Sequence, residues 1–531
     1  MPVEYYSPGV YIEEIDRGAK PIQGVSTSVA AFVGFTQKAP DAQPHLVTNW
    51  SQFTNLFGGF MPDSYLAYAV RGFFDNGGRQ AYIVSVASSE GAGDGGRAAI
   101  AAATAIPARL PSLGTSLQIE ATSSGAAGEG IQVEIGPASG EGATEDQFKM
   151  TVRPPGGGRE ESFDQLTFAR GRGMRNVETI VNRESNLIRV RVLVAETDNA
   201  VERLPQVGLH ALQPAQPQVT SLPARIDPAA IQGNAEGRLG IMGLEAIDEI
   251  TLLCVPDLVS PRVLGNGDAM TRLKTVQTSV LNHCESMKDR FAILDSPPDL
   301  GVQEIKEWRT TVAGFDSMYG AMYYPWIKVA NQTPKAQRKD GEGDLVAVPP
   351  CGHLAGLYAR VDADRGVHKA PANEIVRGAV DLTFQVTRNE QDLLNPVGVN
   401  CIRSFPGMGI RAWGARTLSS DPGWRYINVR RLFNFIEESI EQSTQWVVFE
   451  PNDADLWARV QRDISAFLDR VWRSGALFGM TADEAFYVKC DRETNPPETR
   501  DAGQLICEIG IAPVKPAEFV VFRFSQKALQ A

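Results

Sequence analysis

The chain has 531 residues, of which 43% are apolar and 21% are charged, and its formal net charge is −12. This length predicts about three or four domains, and the composition is that of a globular protein rather than a disordered one. No apolar run approaches the roughly 18 residues that span a bilayer, and the first residues show no pattern of a signal peptide. The acidic balance argues against a broad nucleic-acid-binding surface, which requires clustered lysine and arginine.

The six cysteines and five histidines are scattered along the chain. No two cysteines have the spacing of a zinc site, and most lie in apolar surroundings, as Cys254 does between Leu253 and Val255. We therefore predict buried, reduced thiols in a protein made in the cytosol, with no metal site and no disulfide-stapled fold.

The N-terminal 25 residues have the pattern of an extended arm. Residues 10–15 alternate in polarity after a Ser7-Pro8-Gly9 turn, which predicts a strand. Three residues that break regular structure follow it: Gly18, Pro21 and Gly24. Buried strands are predicted at 28–35 and 80–86, with a helix between them at 65–74 that ends in an Asn-Gly-Gly sequence.

The composition changes after residue 86. Glycine-rich sequence surrounds alternating strands at 117–121, 131–135 and 187–194, and a proline-rich stretch follows at 205–228. This pattern predicts a separate β-rich insertion over residues 90–235.

From residue 241 the pattern is α/β. It predicts strands at 250–255, 291–294 and 321–329, alternating with helices at 273–287 and 302–312. Such alternation indicates a doubly wound parallel sheet with right-handed crossovers.

The last third predicts two amphipathic helices and two terminal strands. The helices cover the apolar stripes of 429–440 and 456–471, the second with Asn452 as its capping candidate. The strands are expected at 505–511 and 518–524, separated by a Pro-Val-Lys-Pro sequence.

One motif favours a nucleotide-binding α/β enzyme as an alternative. Residues 91–96 fit GxGxxG, follow a strand and precede the helix-prone segment 97–105, which is the outline of a dinucleotide fingerprint. Against it, Pro107 shortens that helix and β-rich sequence follows. A flexible domain junction accounts for the glycines equally well.

An unrecognised hydrolase is the second enzymatic alternative. Asp295 ends a core strand, where an α/β hydrolase could keep its acid, and Ser116 follows Gly-Thr in the insertion. A triad also needs a histidine base and an activated serine held together, and no GxSxG, HExxH, Walker A or EF-hand pattern occurs. Asp295 is better explained as a cap of the turn into Pro297. The sequence thus predicts no catalytic residues and no cofactor.

The C-terminal sequence is the most informative feature. Residues 519–524 read Phe-Val-Val-Phe-Arg-Phe, a strongly β-forming segment that would promote aggregation if left unpaired. Either it pairs with 505–511 within its own chain, or it joins a sheet of another copy, as the N-terminal strand could also do. Arms that reach different copies make heterologous contacts and build an open polymer. The predicted intersubunit strand residues are Val10, Tyr11, Ile12, Glu13, Phe519, Val520, Val521, Phe522 and Phe524.

Long runs of this sequence resemble the contractile tail sheath proteins of phages, pyocins and extracellular contractile injection systems. The runs that carry the resemblance are YSPGVYIEE at 6–14, VPPCGHLAG at 348–356, ARVD at 359–362, RGVHKAPAN at 365–373, WRYINVRRL at 424–432, VFEPN at 448–452 and IGIAPVKPAEF at 509–519. The insertion at 90–235 does not match, and the outer domains of this family vary.

The resemblance implies an α/β and α+β multidomain fold with a subtilisin-like core that lacks a catalytic triad. It implies six parts: an N-terminal linking arm (1–25), the first part of the core (26–89), a β-rich outer domain (90–235), the subtilisin-like domain (236–395), an inner, tube-facing domain (396–512) and a C-terminal linking arm (513–531). Because the arms would persist while the subunits move, the expected arm hinges are Gly18, Pro21, Gly24, Pro513 and Pro516.

The resemblance also implies a structural function without an active site. Subunits would stack as hexameric rings around an inner tube and contract to drive that tube through a target envelope. The implied partners are other copies of the chain, the inner tube protein, and baseplate and tail-terminator or cap proteins, with no nucleic acid and no membrane insertion. Assembly would take place in the bacterial cytoplasm, and the protein would be a component of a phage tail or of a tail-like particle released from the cell.

Overall fold

A computed structural model describes residues 21–88, 101–109, 115–124, 131–140, 142–154, 160–169, 171, 174–194, 200–212, 225–265, 267–338 and 343–523. The chain forms two compact units. Unit 1 comprises Met1–Thr36, Ala42–Val86 and Arg225–Ala531, and unit 2 comprises Gln37–Asp41 and Ala87–Ala224. The six-part division expected from the sequence is finer than these two units and stays a prediction.

The N-terminal part of unit 1 alternates short strands and helices. Its elements are β1 (Ala30–Thr36), β2 (His45–Val47), α1 (Trp50–Phe57), α2 (Leu66–Asn76) and β3 (Ala81–Ser88). All seven residues of β1 are buried, as a central strand covered on both faces requires. Gly77 ends α2 in the left-handed conformation with φ of 119° and donates its N–H to Phe73 and Phe74. The strands and the helix predicted here are confirmed.

Unit 2 is β-rich. Its elements are β4 (Ala101–Pro107), β5 (Thr115–Ser124), β6 (Gln132–Pro137), β7 (Phe148–Arg153), β8 (Glu161–Leu166), α3 (Val177–Glu184), β9 (Ile188–Val192), α4 (Ala200–Arg203) and β10 (Gly208–Ala211). They form a sheet in the order β10-β6-β7-β8 and another in the order β4-β5-β9. The three strands predicted within the insertion are confirmed.

The helix-prone segment 97–105 is not helical in its described part, because Ala101–Pro107 is a strand paired antiparallel with β5. High alanine content favours a helix locally, but pairing within a sheet overrides this weak preference. The GxGxxG residues 91–96 lie outside the described residues. A strand where the fingerprint needs a helix removes the main support for the nucleotide alternative.

The central part of unit 1 contains the α/β elements. They are α5 (Pro228–Gln232), β11 (Leu252–Cys254), α6 (Pro261–Leu264), α7 (Ala269–Met287), β12 (Phe291–Asp295), α8 (Val302–Glu307), β13 (Gly320–Tyr324), β14 (Ile327–Ala330), β15 (Leu345–Val348), α9 (Cys351–Arg365), β16 (Glu374–Ile375), β17 (Asp381–Leu382), α10 (Arg388–Leu394), β18 (Val399–Phe405) and β19 (Gly409–Ala412). Helix α8 continues as a π-helix over Trp308–Ala313, so the predicted helix has the expected extent but not a uniform geometry.

The main sheet of unit 1 has nine strands in the order β16-β19-β18-β13-β12-β11-β1-β3-β2. Its middle is parallel, since β1, β11, β12, β13 and β18 pair side by side in one direction. The buried strands predicted near 250 and 291 are confirmed as members of this parallel core. Antiparallel strands occupy both edges, so the sheet is mixed rather than purely parallel.

The single strand predicted over 321–329 is wrong. Pro325 separates β13, which belongs to the main sheet, from β14, which pairs with β15 and β17 in a sheet of three strands. Proline has no N–H to donate to a ladder, so an apolar run that contains it changes sheets here rather than continuing.

Helices α2 and α9 pack at close range against the same side of the core. A side chain at Gly352 would come within 2.3 Å of the Ala69 carbonyl oxygen, and one at Gly356 within 2.3 Å of the Phe73 carbonyl oxygen. Glycine at these two positions therefore allows the two backbones to approach. The glycines of the run at 348–356 are explained by this packing.

The C-terminal part of unit 1 contains two long helices and a small hairpin. Its elements are α11 (Ile427–Ser443), α12 (Ala454–Arg473), α13 (Ala482–Ala485), β20 (Phe486–Lys489), α14 (Pro497–Asp501) and β21 (Glu508–Ile511). Both helices predicted from apolar stripes are confirmed, and their stripes are buried together. The cap of α12 is Asp453, which accepts the Leu456 N–H, and not Asn452. Asn452 instead accepts a hydrogen bond from Trp457 and donates one to Gln504.

Within the described part of the chain, every helix is too short or too polar to cross a membrane.

Candidate interaction site at the C-terminal segment

The backbone that follows β21 is held in place by several hydrogen bonds. Pro513 forms an isolated antiparallel β-bridge with Leu477, and the Val514 N–H donates to the Ala476 carbonyl oxygen at 3.1 Å. The Val514 carbonyl oxygen in turn accepts from the buried amide of Asn428 at 3.0 Å. These bonds fix the direction of the backbone up to residue 514.

Glu518 forms a second anchor four residues further on. Arg416 donates two hydrogen bonds to its carboxylate, both at 2.8 Å, while Asn395 donates a third at 2.7 Å and Tyr426 a fourth at 3.0 Å. Burial alone would raise the pKa of Glu518, but the bonds from Arg416 and Asn395 outweigh it and lower the pKa below its ordinary value. We call this group of four side chains the Glu518 clamp.

Directly after the clamp, four large apolar side chains project from the subunit. Phe519, Val520, Val521 and Phe522 are between 67% and 78% exposed. A run of exposed aromatic and β-branched residues is unusual on a monomer and typical of a surface that another molecule covers. The two anchors and this run, residues 513–522, form the candidate site.

The segment makes no strand within its own chain. Residues 514–523 are neither helical nor paired in a sheet, whereas Glu508–Ile511 pairs antiparallel with Phe486–Lys489. The alternative that 518–524 pairs with 505–511 in the same chain is therefore wrong. Phe524 lies outside the described residues, and pairing of this segment with another copy stays a prediction.

The first described residues dock on the two long helices. Ile22 is buried and its carbonyl oxygen accepts from Arg470 at 2.6 Å, while the backbone N–H groups of Gln23 and Val25 donate to Ser443 and Ser439. A side chain at Gly24 would lie 2.9 Å from the Phe435 ring, so close packing is one reason for glycine there.

The other N-terminal residues predicted for the arm lie outside the described residues: Val10, Tyr11, Ile12, Glu13 and Gly18. The hinge role of Pro21, Gly24, Pro513 and Pro516 stays a prediction.

Helix α11 is tied to the rest of unit 1 by a buried ion pair. Arg431 donates to both carboxylate oxygens of Asp362, at 2.9 and 2.5 Å, and to the Thr27 carbonyl oxygen at 2.8 Å. Thr27 also donates its hydroxyl to Asp362 at 2.7 Å. Both terminal nitrogens of Arg431 and both carboxylate oxygens of Asp362 have partners, and such bonds are what make a buried ion pair tolerable. The contact joins one residue from each of two runs singled out in the sequence, Asp362 from 359–362 and Arg431 from 424–432.

Asp295 has a structural role that differs from the expected one. Its carboxylate accepts the Cys351 N–H at 2.9 Å and so holds the N-terminus of α9 rather than the turn into Pro297. Burial raises the pKa of this carboxyl to about 7. Ser116, in unit 2, donates its hydroxyl to the Arg203 carbonyl oxygen at 2.8 Å and so has an ordinary structural bond.

A second buried carboxylate was not found from the sequence. Asp257 accepts the backbone N–H groups of Phe35 and Tyr65 and the hydroxyl of Ser64, and thereby joins β1 to the N-terminus of α2. Burial raises its pKa to about 7, with these bonds opposing the increase. Its partners are far away in sequence, so no local pattern announces this role.

We predict that Asp295→Asn folds normally, because the amide oxygen can still accept the Cys351 N–H. The folded pKa of Asp295 lies above that of an unfolded aspartate, so the contribution of this group to wild-type stability is full below about pH 4 and is lost as the pH rises through 7. The variant should match the wild type near pH 4 and exceed it at pH 8 by up to about 4 kcal/mol. Denaturant unfolding at both pH values measures this. Ser116→Ala is the control, because it removes a hydroxyl that does not titrate and should change the stability equally at both pH values. The raised pKa assigned to Asp295 would be contradicted if the stability of the variant, relative to that of the wild type, were lower at pH 8 than at pH 4.

Among the described residues, no group of three or more His, Cys, Asp or Glu side chains is arranged to hold a metal ion.

Comparison with known proteins identifies the class to which this fold belongs. The structure resembles a chain of the anti-feeding prophage (AFP) baseplate with a TM-score of 0.57 and 24% identity, over 99% of this chain and 100% of that one. It resembles a chain of an extracellular contractile injection system, the PVC sheath complex in its contracted state, with a TM-score of 0.56 and 24% identity over 99% of both chains. The architecture is therefore a mixed α/β multidomain fold shared with contractile sheath assemblies.

Two family models match adjacent stretches that together cover just over half of the chain. Residues 257–418 match the phage tail sheath protein central domain, and residues 419–527 match the phage tail sheath C-terminal domain. The chain belongs to the tail sheath protein family.

Curated relatives agree with this membership. The tail sheath protein of Vibrio phage KVP40 is 24% identical over 298 residues, which is 52% of this chain and 43% of that protein. The tail sheath protein of Escherichia phage P2 is 25% identical over 272 residues, which is 50% of this chain and 63% of that protein. The alignments thus span about two fifths to three fifths of the length of these relatives.

Proposed function

We propose that this chain is the structural sheath subunit of a contractile, phage-tail-like injection machine. Copies would polymerise as stacked hexameric rings around an inner tube and contract to drive the tube through a target envelope. The observation that carries the proposal is the exposed run Phe519–Phe522 beyond the Glu518 clamp, in a chain that belongs to the sheath family. A surface of this kind needs cover from another molecule, and a second copy is the molecule that a sheath provides.

Strand addition is the mode of contact that the segment fits best. Its residues have high β-propensity, and the side chains on both faces of such a strand would be apolar. A strand of this kind is stable where other parts of a protein bury both faces. The two-stranded sheet of β20 and β21 offers a receiving surface, because its Tyr487 and Ile509 side chains are exposed. Backbone hydrogen bonds would supply strength, and side-chain pockets would set the register.

The arms would link copies that occupy different positions in the assembly. Such a contact is heterologous, because the surface that donates the strand differs from the surface that receives it, and heterologous contacts build open polymers. Contraction would release free energy as subunits exchange poorer contacts for more extensive ones. Because many subunits contract together, each needs to contribute a free energy of only a few kcal/mol. This is roughly the free energy that shifts a two-state equilibrium from one state to the other.

The remaining features of the proposal are expectations that family membership supports. The parallel core of unit 1 would be a subtilisin-like domain without a catalytic triad, and the protein would not be an enzyme. Its partners would be the inner tube protein and baseplate and terminator proteins. It would assemble in the bacterial cytoplasm and function within a tail or tail-like particle.

Electron microscopy of the purified protein tests the proposal. We expect tubes, or rings that stack into tubes as the concentration rises, and sedimentation velocity should show species far larger than one chain. A protein that stays monomeric at every concentration, alone and with co-expressed tube protein, would overturn it.

The Glu518 clamp gives a prediction about the direction of the C-terminal arm. Arg416→Ala removes the two-pronged partner of a mostly buried carboxylate, which should weaken the anchor by roughly 2–4 kcal/mol. We expect faster hydrogen exchange at residues 514–523 and shorter polymers, with the rest of the chain unchanged. Arg425→Ala is the matched control, since Arg425 lies beside Tyr426 but is not a donor to Glu518. Equal exchange in the two variants would show that the clamp does not position the arm.

The insertion predicted at 90–235, of which residues 90–224 fall in unit 2, is expected to face outward in the polymer and to tolerate change. Its strands form sheets of their own with a separate buried core, so it does not complete the core of unit 1. Replacing residues 90–224 with a short glycine-serine linker should leave assembly intact, as judged by electron microscopy. Failure of a folded, linker-containing chain to polymerise would contradict this placement.

A further inference from the structure

Cys490 and Cys507 face each other at the base of the β20–β21 hairpin. The register pairs Lys489 with Glu508, so the next opposed positions are Cys490 and Cys507. The Ala512 N–H donates to the Ala485 carbonyl oxygen, which makes that opposed pair a hydrogen-bonded one. Hydrogen-bonded and non-hydrogen-bonded pairs alternate along two antiparallel strands. Cys490 and Cys507 lie five positions along the strands from Ala485 and Ala512, so they form a non-hydrogen-bonded pair.

This position suits a covalent link. Non-bonded pairs bring the Cα atoms to about 4.5 Å, which lies within the range of about 4.4–6.8 Å that disulfides span. The two thiols lie close enough for each to affect the pKa of the other. Both cysteines are free in the structure, Cys490 being buried and Cys507 partly exposed.

Asn495 holds the two strands in this arrangement. Its side chain accepts the Ile506 N–H at 2.7 Å and donates to the Ile506 carbonyl oxygen at 2.9 Å, while it also contacts the Cys490 sulfur at 3.9 Å. Asn495 is buried, and its hydrogen bonds to Ile506 keep it beside the sulfur of Cys490. The same side chain therefore contacts both segments that carry the two cysteines.

We propose that Cys490 and Cys507 are an oxidisable pair that forms an intrachain disulfide when the folded protein meets a small-molecule disulfide. The thiolate of Cys507, the more accessible of the two, attacks the reagent RSSR, forms a mixed disulfide and releases one RS⁻. The thiolate of Cys490 then attacks the Cys507 sulfur and releases the second RS⁻. Two protons pass from the cysteines to the two leaving thiolates, so two cysteine thiols and RSSR give one protein disulfide and two RSH.

The link would close the loop between β20 and β21 and so staple the hairpin. Burial raises the pKa of both thiols, that of Cys507 to about 12, and the carboxylates of Asp491 and Glu508 act in the same direction. The reactive thiolate is therefore scarce at neutral pH, which slows the first attack. An excess of thiol reverses the exchange and keeps the pair reduced. This chemistry does not depend on assembly of the chain and is tested on the subunit alone.

Oxidation of the full-length protein with oxidised glutathione at pH 8.5 tests the inference. After remaining thiols are blocked and the protein is digested with trypsin without reduction, we expect peptide 490–492 linked to peptide 501–523. Hydrogen exchange of residues 491–506 should slow several-fold in the oxidised protein and return on reduction. Cys254 and Cys351, which are both buried in the core, are the internal control and should stay unlinked.

Variants separate the disulfide from other oxidation. Cys507→Ser should give no linked peptide and leave Cys490 unmodified in the folded chain, while Cys490→Ser should leave Cys507 as a mixed disulfide with glutathione. The inference is overturned if wild-type Cys490 and Cys507 stay free, if Cys507 retains glutathione instead of passing to Cys490, or if either cysteine links to a different one.

Discussion

Val521→Asp and Phe522→Asp are expected to abolish polymerisation while leaving the subunit folded. Both side chains are more than 70% exposed in the single chain, so the substitutions should change subunit stability by only about 0.5 kcal/mol. In the polymer, by contrast, each would place a carboxylate in an apolar contact without a partner. That costs at least about 3 kcal/mol, or more than about a hundredfold in the affinity of each joint.

Sedimentation and circular dichroism of these variants decide between two structures of the segment. Soluble monomers with a native spectrum would support the proposal that a neighbouring copy covers residues 519–522 in the polymer. An unfolded or aggregated chain would mean that 519–522 belongs to the core of its own subunit, against the exposure seen here. Leu209→Asp is the matched control, because Leu209 is an exposed apolar residue of unit 2 and lies outside the proposed contact.

Deletion of residues 1–20 is expected to give a folded subunit that cannot form long sheaths. The cut falls just before the residues that dock on α11 and α12, so Ile22 and its bond from Arg470 are retained. The predicted strand at 10–15 is removed, and with it one of the two arms that would link copies. Electron microscopy should then show single subunits or short rings in place of tubes.

A shorter deletion provides the control for this experiment. Removing residues 1–5 keeps the predicted strand and should leave tube formation unchanged. Long, intact tubes from the protein that lacks residues 1–20 would contradict a linking role for the N-terminal arm, even if the C-terminal segment behaves as expected.

The features that could be predicted from the sequence are those with a local periodic signal. The stripe of α12 repeats at helical spacing and is buried as expected, and the apolar run of β12 is a central parallel strand. The strong β-propensity of 519–522 also identified the candidate site. Its exposure could not be derived from that pattern, because an apolar strand has the same sequence whether its own chain or another one covers it.

The errors arose where distant contacts override local preference. Residues 101–107 are rich in alanine and suggest a helix, yet pairing with β5 makes them a strand. Asp257 has no distinguishing neighbours in sequence, although it joins β1 to α2 through backbone groups at Phe35 and Tyr65. The Glu518 clamp likewise draws on Asn395, Arg416 and Tyr426, which no motif connects to Glu518.

A helical reconstruction of the assembled protein by cryo-electron microscopy tests the central claim most directly, that copies are joined through their terminal segments. The account predicts that residues 519–523 of one copy form a strand on a sheet edge of another copy, with Phe519–Phe522 covered and the Glu518 clamp intact at its base. A polymer in which this segment remains exposed, or folds back onto its own subunit while other surfaces make the joints, would contradict it.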